Sequence, residues 1–225
     1  MFTGLVREVG RLESVRLSGD RAALEISAPR TAPGLRIGDS VSVNGVCLTV
    51  TARVGTRVRA DVSAETRRVT TVSTWRAGDR VHVEPALRAG DSLGGHFVLG
   101  HVDGVGRVER IARVAGGLAV TVSAAPAILV QLLAKGSIAV DGVSLTLDEG
   151  PFTCAFTVTL IPHTLRETRF ARLRAGDRVN LEVDVLSKAA RAGAGTETSR
   201  PPSRTGVLTM AAIAARGWVG RGVRN

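Results

Sequence analysis

The sequence predicts an all-β fold: two tandem, internally duplicated six-stranded Greek-key β-barrels with short helices, followed by a C-terminal tail. The main observation is a repeat, because SVSVNGVCLTV at 40–50 returns as SIAVDGVSLTL at 137–147, an offset of 97 residues. In both copies apolar residues alternate with polar or small ones, which is the period of a half-buried strand. A third observation is that glycine-containing turn sequences separate these runs at regular spacing.

Three further blocks recur in the same order, which indicates a duplicated domain rather than a short solenoid unit. They pair Gly4-Leu5-Val6 with Gly104-Val105-Gly106, Glu65-Thr66 with His163-Thr164, and WRAGDRVHVE at 75–84 with LRAGDRVNLE at 173–182. We therefore expect an N-terminal barrel at 1–97, a C-terminal barrel at 98–188 and a basic tail at 189–225.

Turns and helices can be placed within this frame. Asn44-Gly45 and Asp141-Gly142 have the chemistry of tight turns, in which a residue adopts positive φ. Pro126 suits the first position of a helix, which we expect to run through Ala134, with a shorter one at 29–35. In the tail, residues 191–204 are expected to be mobile because they can bury little apolar surface. Residues 207–219 are either a short amphipathic helix or a frayed extension.

The charge of the chain is unevenly distributed. The formal net charge is +10, and residues 189–225, with six Arg and one Glu, carry half of it. Such a balance favours polyanionic partners, but no basic run with interleaved aromatic residues occurs, which argues against nucleic acid. The two cysteines form no metal-type C-x-x-C pair, and no apolar run has the length of a membrane span. We expect a soluble, cytoplasmic protein with reduced thiols, no metal and no membrane partner.

Polar residues of the repeated motif are the first candidates for a ligand site. Cys47 is replaced by Ser144 in the second copy, and Thr49 and Thr146 follow two residues later on the same strand face. Cys47 is either a small core residue or a ligand contact. The exchange of one small polar residue for another favours a ligand contact.

Four other residues could carry chemistry. His101 lies among glycines that let a backbone approach closely, whereas His96 is more readily interpreted as a buried structural histidine. Lys135 is one of two lysines in an Arg-dominated chain, which suggests that a compact point charge is needed there. Asp184 follows an apolar strand and is either outward-facing or partnered. The residues alone predict two related sites for small molecules and go no further.

Seven motifs stand in order along residues 1–188: MFTGLV, NGVCLTV, ET, LGGHFVLGHVDG, KGSIAVDGVSLT, LIPHT and NLEVD. Together they resemble the riboflavin synthase family of the alpha-chain type. The resemblance implies a cofactor-free transferase, in which one 6,7-dimethyl-8-ribityllumazine gives a four-carbon unit to a second. The products are riboflavin and 5-amino-6-ribitylaminouracil. It further implies one lumazine in each barrel, an active site completed by facing barrels of neighbouring subunits in a homotrimer, and lumazine synthase as a partner.

The resemblance also implies which residues contact the substrate. In the first barrel these are Gly4, Leu5, Val6, Cys47, Leu48, Thr49, Asp61, Val62, Ser63, Ala64, Glu65 and Thr66, with Phe2 and Thr3 closing the site. In the second they are Gly100, His101, Val102, Lys135, Ser144, Leu145, Thr146, Thr159, Leu160, Ile161, Pro162, His163 and Thr164, assisted by Asp184. The implied roles are proton transfer for His101, the reacting face for Cys47 and Ser144, and hydrogen bonding for Thr49 and Thr146.

Three positions depart from the family pattern. His82 stands where Asn is usual, Arg67 and Arg68 stand where an apolar residue is usual, and Ala189-Ala190 replaces an aromatic residue that opens a trimerisation helix. Two other functions stay open. One is a lumazine- or flavin-binding carrier with one degenerated site, although both NGVCLT and DGVSLT are intact; the other is a basic interaction module that uses the Arg-rich tail.

Overall fold

The structure, a computed structural model, describes residues 1–150 and 152–197. Each repeat contributes six strands. The first repeat forms β1 (Glu8–Ser18), β2 (Arg21–Ser27), β3 (Ser40–Val43), β4 (Val46–Val54), β5 (Arg57–Val62) and β6 (Arg80–Pro85). The second forms β7 (Gly104–Val114), β8 (Gly117–Ser123), β9 (Ser137–Val140), β10 (Val143–Thr146), β11 (Ala155–Leu160) and β12 (Arg178–Val183). The expected division at 97/98 falls in the connection between β6 and β7.

Both repeats have the same strand order. The first is a closed barrel in the order β1-β2-β5-β4-β3-β6, in which β6 pairs with β1. The second has the order β10-β9-β12-β7-β8-β11. Since β7 to β12 are the counterparts of β1 to β6, this is the same cyclic order, written with β10 and β11 as its two ends. A bridge between Leu147 and Val158, with a hydrogen bond from Asp148 N to Thr157 O of 2.9 Å, joins its two end strands. The predicted all-β fold with two related barrels is confirmed.

The alternation read from the sequence decides which side chains fill the barrels. In β4, Val46, Leu48 and Val50 are buried in the first core, whereas Cys47 and Thr49 face outward. A one-residue slip in register would exchange these two sets, so the apolar pattern fixes the register. Each barrel encloses its own cluster of Val, Leu and Ile side chains.

The helices are short, apart from the last one. They are α1 (Ala64–Val69), α2 (Pro126–Leu129), α3 (Pro162–Glu167) and α4 (Val185–Glu197), with 3-10 turns at Ala32–Gly34, Thr71–Thr74 and Arg169–Arg172. Among the described residues, no helix has both the length and the apolarity needed to cross a membrane.

The predicted helix bounds need correction at three places. The helix after Pro126 ends at Leu129 rather than Ala134, because the chain turns there and reaches Lys135 in a left-handed conformation (φ 62°). The expected helix at 29–35 is reduced to a single 3-10 turn. Arg191, expected in a mobile segment, lies in α4. This helix begins two residues after the end of the last strand, and no proline interrupts it. The amphipathic segment expected at 207–219 lies outside the described residues.

Two tight turns bring the barrels together. Asn180 Nδ2 donates to Asn44 O at 2.8 Å, and Asn44 has the positive φ (46°) that the sequence predicts. At the matching position of the first repeat, His82 Nε2 accepts from Arg169 N at 2.9 Å, so Nδ1 carries the proton and donates to Asp141 O at 2.9 Å. Burial lowers the pKa of His82 to about 3, which keeps the ring neutral. His82 is therefore a cross-barrel linker at the position that Asn180 occupies in the second repeat.

Candidate functional site

Two short segments cross from one repeat onto the other. The first strap (residues 2–6) and the second strap (residues 98–102) pair with each other, because Phe2 N donates to Val98 O at 2.7 Å and Val98 N to Phe2 O at 3.1 Å. Ser144 N donates to Gly4 O at 2.9 Å, and Cys47 N donates to Gly100 O at the same distance. Each strap therefore lies on the strand of the other barrel that carries the repeated motif, β10 for the first strap and β4 for the second.

Glycine is required where each strap meets its strand. Gly4 and Gly100 have φ of +76° and +77°, a backbone conformation that residues with a Cβ rarely adopt. A Cβ at Gly4 would lie 2.5 Å from Ser144 Cβ, and one at Gly100 would lie 2.6 Å from Cys47 Cβ. Nearly equal distances at the two places show that Gly4 and Gly100 are structural equivalents. The match of Gly4-Leu5-Val6 with Gly104-Val105-Gly106 in the sequence is thus wrong by four residues, and the counterpart Gly100-His101-Val102 keeps both Gly and Val.

Two buried carboxyl groups hold the straps in place. Glu84 Oε1 accepts from Thr3 N and Thr3 Oγ1, both at 2.7 Å, and Glu84 Oε2 accepts from Gly4 N at 3.2 Å. Glu182 accepts from Leu99 N at 2.7 Å and from Gly100 N at 2.9 Å. Burial raises the pKa of both groups, to about 7 for Glu182, although the donated backbone N–H groups oppose the rise. Sequence reasoning missed both residues, although a Glu at the same place in two apolar strands was an available signal.

The outward strand faces carry the polar candidates. Cys47 and Ser144 are partly exposed, and Thr49 and Thr146 are exposed beside them. The neighbouring Leu48 and Leu145 point the opposite way into the two cores, as do Val62 and Leu160 farther along. Only the backbone of these four predicted contact residues is available to a ligand on the outer face.

The two histidines near the straps differ in burial and in contacts. His101 is exposed, and its imidazole makes no hydrogen bond to any residue that the structure describes. His96 is buried, and its Nδ1 lies 2.7 Å from Ser144 Oγ. Burial lowers the pKa of His96, and the charge of Asp184 partly opposes this. His96 is buried as the sequence suggested, but it contacts Ser144, a predicted site residue, so it belongs to the candidate site.

The other two predicted segments lie where a strand passes into a helix. The predicted segment 61–66 runs from β5 into α1, where Ser63 Oγ accepts from Thr66 N at 3.1 Å. Segment 159–164 makes the same transition from β11 into α3, with Pro162 at its start. Both helices were missed in the sequence, although Ser63 and Pro162 are typical helix-start residues.

The charged residues among the predicted contacts are mostly exposed. Arg68 pairs with Glu65 (Nη2 to Oε1, 2.6 Å), and this hydrogen bond lowers the pKa of that carboxyl. Lys135 Nζ lies 3.6 Å from Glu149 Oε1 and stays largely exposed. Asp184 Oδ1 accepts from Leu186 N at 3.0 Å at the start of α4. Within the described residues, no three His, Cys, Asp or Glu side chains are grouped so that they could hold a metal ion.

Comparisons with known proteins agree with this twofold arrangement. The model of the lumazine binding domain family matches residues 3–86 and again 99–184. The riboflavin synthase of Bacillus subtilis (strain 168) is 39% identical over 188 residues, which cover 84% of this chain and 87% of that protein. The riboflavin synthase of Brucella abortus (strain 2308) is 38% identical over 197 residues, covering 84% of this chain and 96% of that protein. The chain belongs to the riboflavin synthase family.

Solved structures show the same fold for this member of the riboflavin synthase family. LumP complexed with riboflavin has a TM-score of 0.75 at 24% identity, covering 81% of this chain and 99% of that chain. LumP complexed with 6,7-dimethyl-8-(1'-D-ribityl) lumazine has a TM-score of 0.73 at 25% identity, covering 81% and 98%. The resemblance stated from the sequence motifs is confirmed.

Within the riboflavin synthase family fold, the structure regroups the residues expected in each site. Gly4, Leu5 and Val6 lie on the second barrel with Ser144, and Val6 packs against the second core. Gly100, His101 and Val102 lie on the first barrel with Cys47, and Val102 packs against the first core. The expected assignment of each strap to its own barrel is therefore wrong, because sequence order does not reveal that the straps cross.

Phe2 and Thr3 also have different surroundings from those expected. Phe2 is fully buried in a cluster with Val98 and Ala139, and Thr3 is held by Glu84. Their side chains anchor the first strap between the barrels and do not close an open site on the first barrel.

Proposed function

We propose that the chain catalyses the dismutation of two 6,7-dimethyl-8-ribityllumazine molecules to riboflavin and 5-amino-6-ribitylaminouracil. The observation that carries this proposal is the pair of crossed half-sites. Cys47 and Thr49 with the second strap form one, and Ser144 and Thr146 with the first strap form the other. Two nearly equal settings with different reactive side chains suit two copies of one substrate that react in different roles.

The chemistry requires loss of a proton from the 7-methyl group of one lumazine and activation of the other lumazine at carbon 7. His101 is the proposed proton-transfer group, because it is exposed next to the strand that carries Cys47. His96 is the proposed positioning residue for Ser144, since their 2.7 Å contact fixes the direction of the hydroxyl. The four-carbon unit moves from one lumazine to the other, so the reaction belongs to the transferases and balances without an added oxidant.

A homotrimer is part of the proposal. Apolar side chains remain exposed beside the half-sites: Leu5 is 49% exposed, Phe97 36% and Ile161 55%. Another copy of the chain could cover them and bring a second lumazine onto the open face. Association with lumazine synthase and a cytoplasmic location stay predictions, as do the bounds of the three domains.

The proposal is tested by mixing purified protein with the lumazine and following riboflavin by absorbance and fluorescence. We expect net riboflavin formation, with graded losses for Cys47→Ser and His101→Gln. Cys154→Ser is the matched control for the first change, since Cys154 is exposed and no part of either half-site. Full turnover with unchanged substrate affinity in both site variants would show that the assigned roles are wrong. A stable, unconverted lumazine complex would instead support a carrier.

A further inference from the structure

A cleft of about 510 Å³ is lined by residues of both repeats. It contains the two copies of one motif, because Gly78-Asp79-Arg80 and Gly176-Asp177-Arg178 both line it. This motif is the fourth repeated block of the sequence. None of the residues predicted to contact lumazine lines the cleft. The proposed reaction therefore leaves the repeated motif and the cleft without a role.

The cleft has an excess of guanidinium groups. Arg80, Arg169, Arg172 and Arg178 line it, against the carboxylates of Asp79 and Asp177. Two more arginines reach its edge. Arg11 Nη2 lies 3.6 Å from the position that a Cβ would take at Gly78, and Arg107 Nη2 lies at the same distance from that position at Gly176.

The acidic residues of the cleft already have other partners. Asp79 Oδ2 accepts from Arg76 N at 2.8 Å, and Asp177 Oδ2 accepts from Arg174 N at 2.9 Å, so both close their own turns. Asp141 is the buried partner of Arg169.

The exposed arginines that line the cleft have no such partner. In the part of the chain that the structure describes, no ion pair engages Arg80, Arg172 or Arg178. The guanidinium groups that line the cleft thus outnumber its carboxylates, and none of these three arginines is held in a direct ion pair by the described residues.

We propose that this cleft between the repeats binds a phosphate-bearing small molecule with two anionic groups. Arginine donates paired hydrogen bonds that match phosphate oxygens, and Arg80 and Arg178 offer such donors from equivalent positions in the two repeats. A ligand with two linked phosphates presents a negative group to each. The volume lies within the range of small-molecule sites, about 300–1,000 Å³, and admits a nucleoside diphosphate as well as free pyrophosphate.

Trp75 supplies the readout, since it lines the cleft and its indole Nε1 donates to Thr71 Oγ1 at 3.0 Å. The full-length chain is used with Trp218→Phe, which leaves Trp75 as its one tryptophan. Inorganic pyrophosphate is titrated while Trp75 emission is recorded at constant ionic strength, and ADP is titrated in a second arm. We expect a saturable change with pyrophosphate. Equal or tighter binding of ADP assigns a nucleoside diphosphate, and a response to pyrophosphate alone assigns a free polyanion.

The decisive variant is Arg80→Gln/Arg178→Gln, for which we expect at least tenfold weaker binding of pyrophosphate. The matched control is Arg53→Gln/Arg113→Gln, which removes the same charge from two exposed positions outside the cleft and should bind within twofold of the parent. Lumazine turnover should be unchanged in both, which also shows that they fold. The inference is overturned if Trp75 emission shows no saturable change, if the cleft variant binds as tightly as the parent, or if the control loses as much.

Discussion

Replacing Gly100 by alanine tests the close approach of the second strap to Cys47. A Cβ at this position would lie 2.6 Å from Cys47 Cβ, whereas ordinary contacts begin at 3.4 Å, so one side must move by about 0.8 Å. The positive φ of +77° adds backbone strain of about 1–2 kcal/mol. Overpacking of this kind costs roughly 1–3 kcal/mol more. We therefore expect Gly100→Ala to lower the free energy of unfolding by about 2–5 kcal/mol.

Gly116→Ala is the matched control. Gly116 has a φ of +87°, but a Cβ added there would meet nothing within 4 Å, so it carries the backbone strain without the clash. Urea unfolding followed by circular dichroism should show a loss of only about 1–2 kcal/mol for it. Turnover should fall on the order of a hundredfold for Gly100→Ala, because displacements near 1 Å can cost that much, and stay unchanged for the control. Equal losses of stability and equal turnover in the two variants would refute a role for the crossing strap.

Three further predictions concern buried polar groups. The pKa of Glu182 is about 7 in the folded chain, above its ordinary 4.5, so the stability it contributes is present below pH 4.5 and is lost as the pH rises through 7. Urea unfolding between pH 5 and 8 should show a decline of at most about 3 kcal/mol that Glu182→Gln removes; an equal slope in both proteins would contradict this. Ser144→Ala should cost about 1–3 kcal/mol of stability and reduce turnover, because the buried His96 loses its hydrogen-bond partner. Ser144→Thr keeps a hydroxyl and should recover part of the stability. Equal stability of the two variants would contradict the contact. Asp141→Asn removes the buried partner of Arg169 and should lower the free energy of unfolding by about 3–5 kcal/mol, measured in urea; an unchanged midpoint would show that the pair is not needed.

The duplicated motif made the fold predictable. Val46, Leu48 and Val50 alternate with polar residues, and Asn44-Gly45 supplies a turn with positive φ, so local chemistry already specifies the strand, its register and its hairpin. The same chemistry in 137–147 specifies the second copy. Helices α1 and α3 were missed because they are six residues long and carry no apolar period, although Ser63 and Pro162 mark their starts.

Candidate residues were found one at a time, but their grouping was not. Cys47, Ser144 and His101 follow from the motif and the resemblance, since each stands in a recognisable run of sequence. That Ser144 meets Gly4 rather than Gly100 depends on a contact across 140 residues, which no local pattern encodes. The same holds for His96 and Ser144, and for Glu84, whose role is visible only with the strap in place.

The family, the duplicated barrels and the polar residues of the repeated strands β4 and β10 are all readable from the amino-acid order, because turn chemistry and apolar alternation are local properties. Three features required the folded chain: the crossing of the straps, the contact of His96 rather than His101 with Ser144, and the meeting of two GDR motifs in one cleft. Those contacts arise from packing two barrels face to face, which brings together residues that are far apart along the chain.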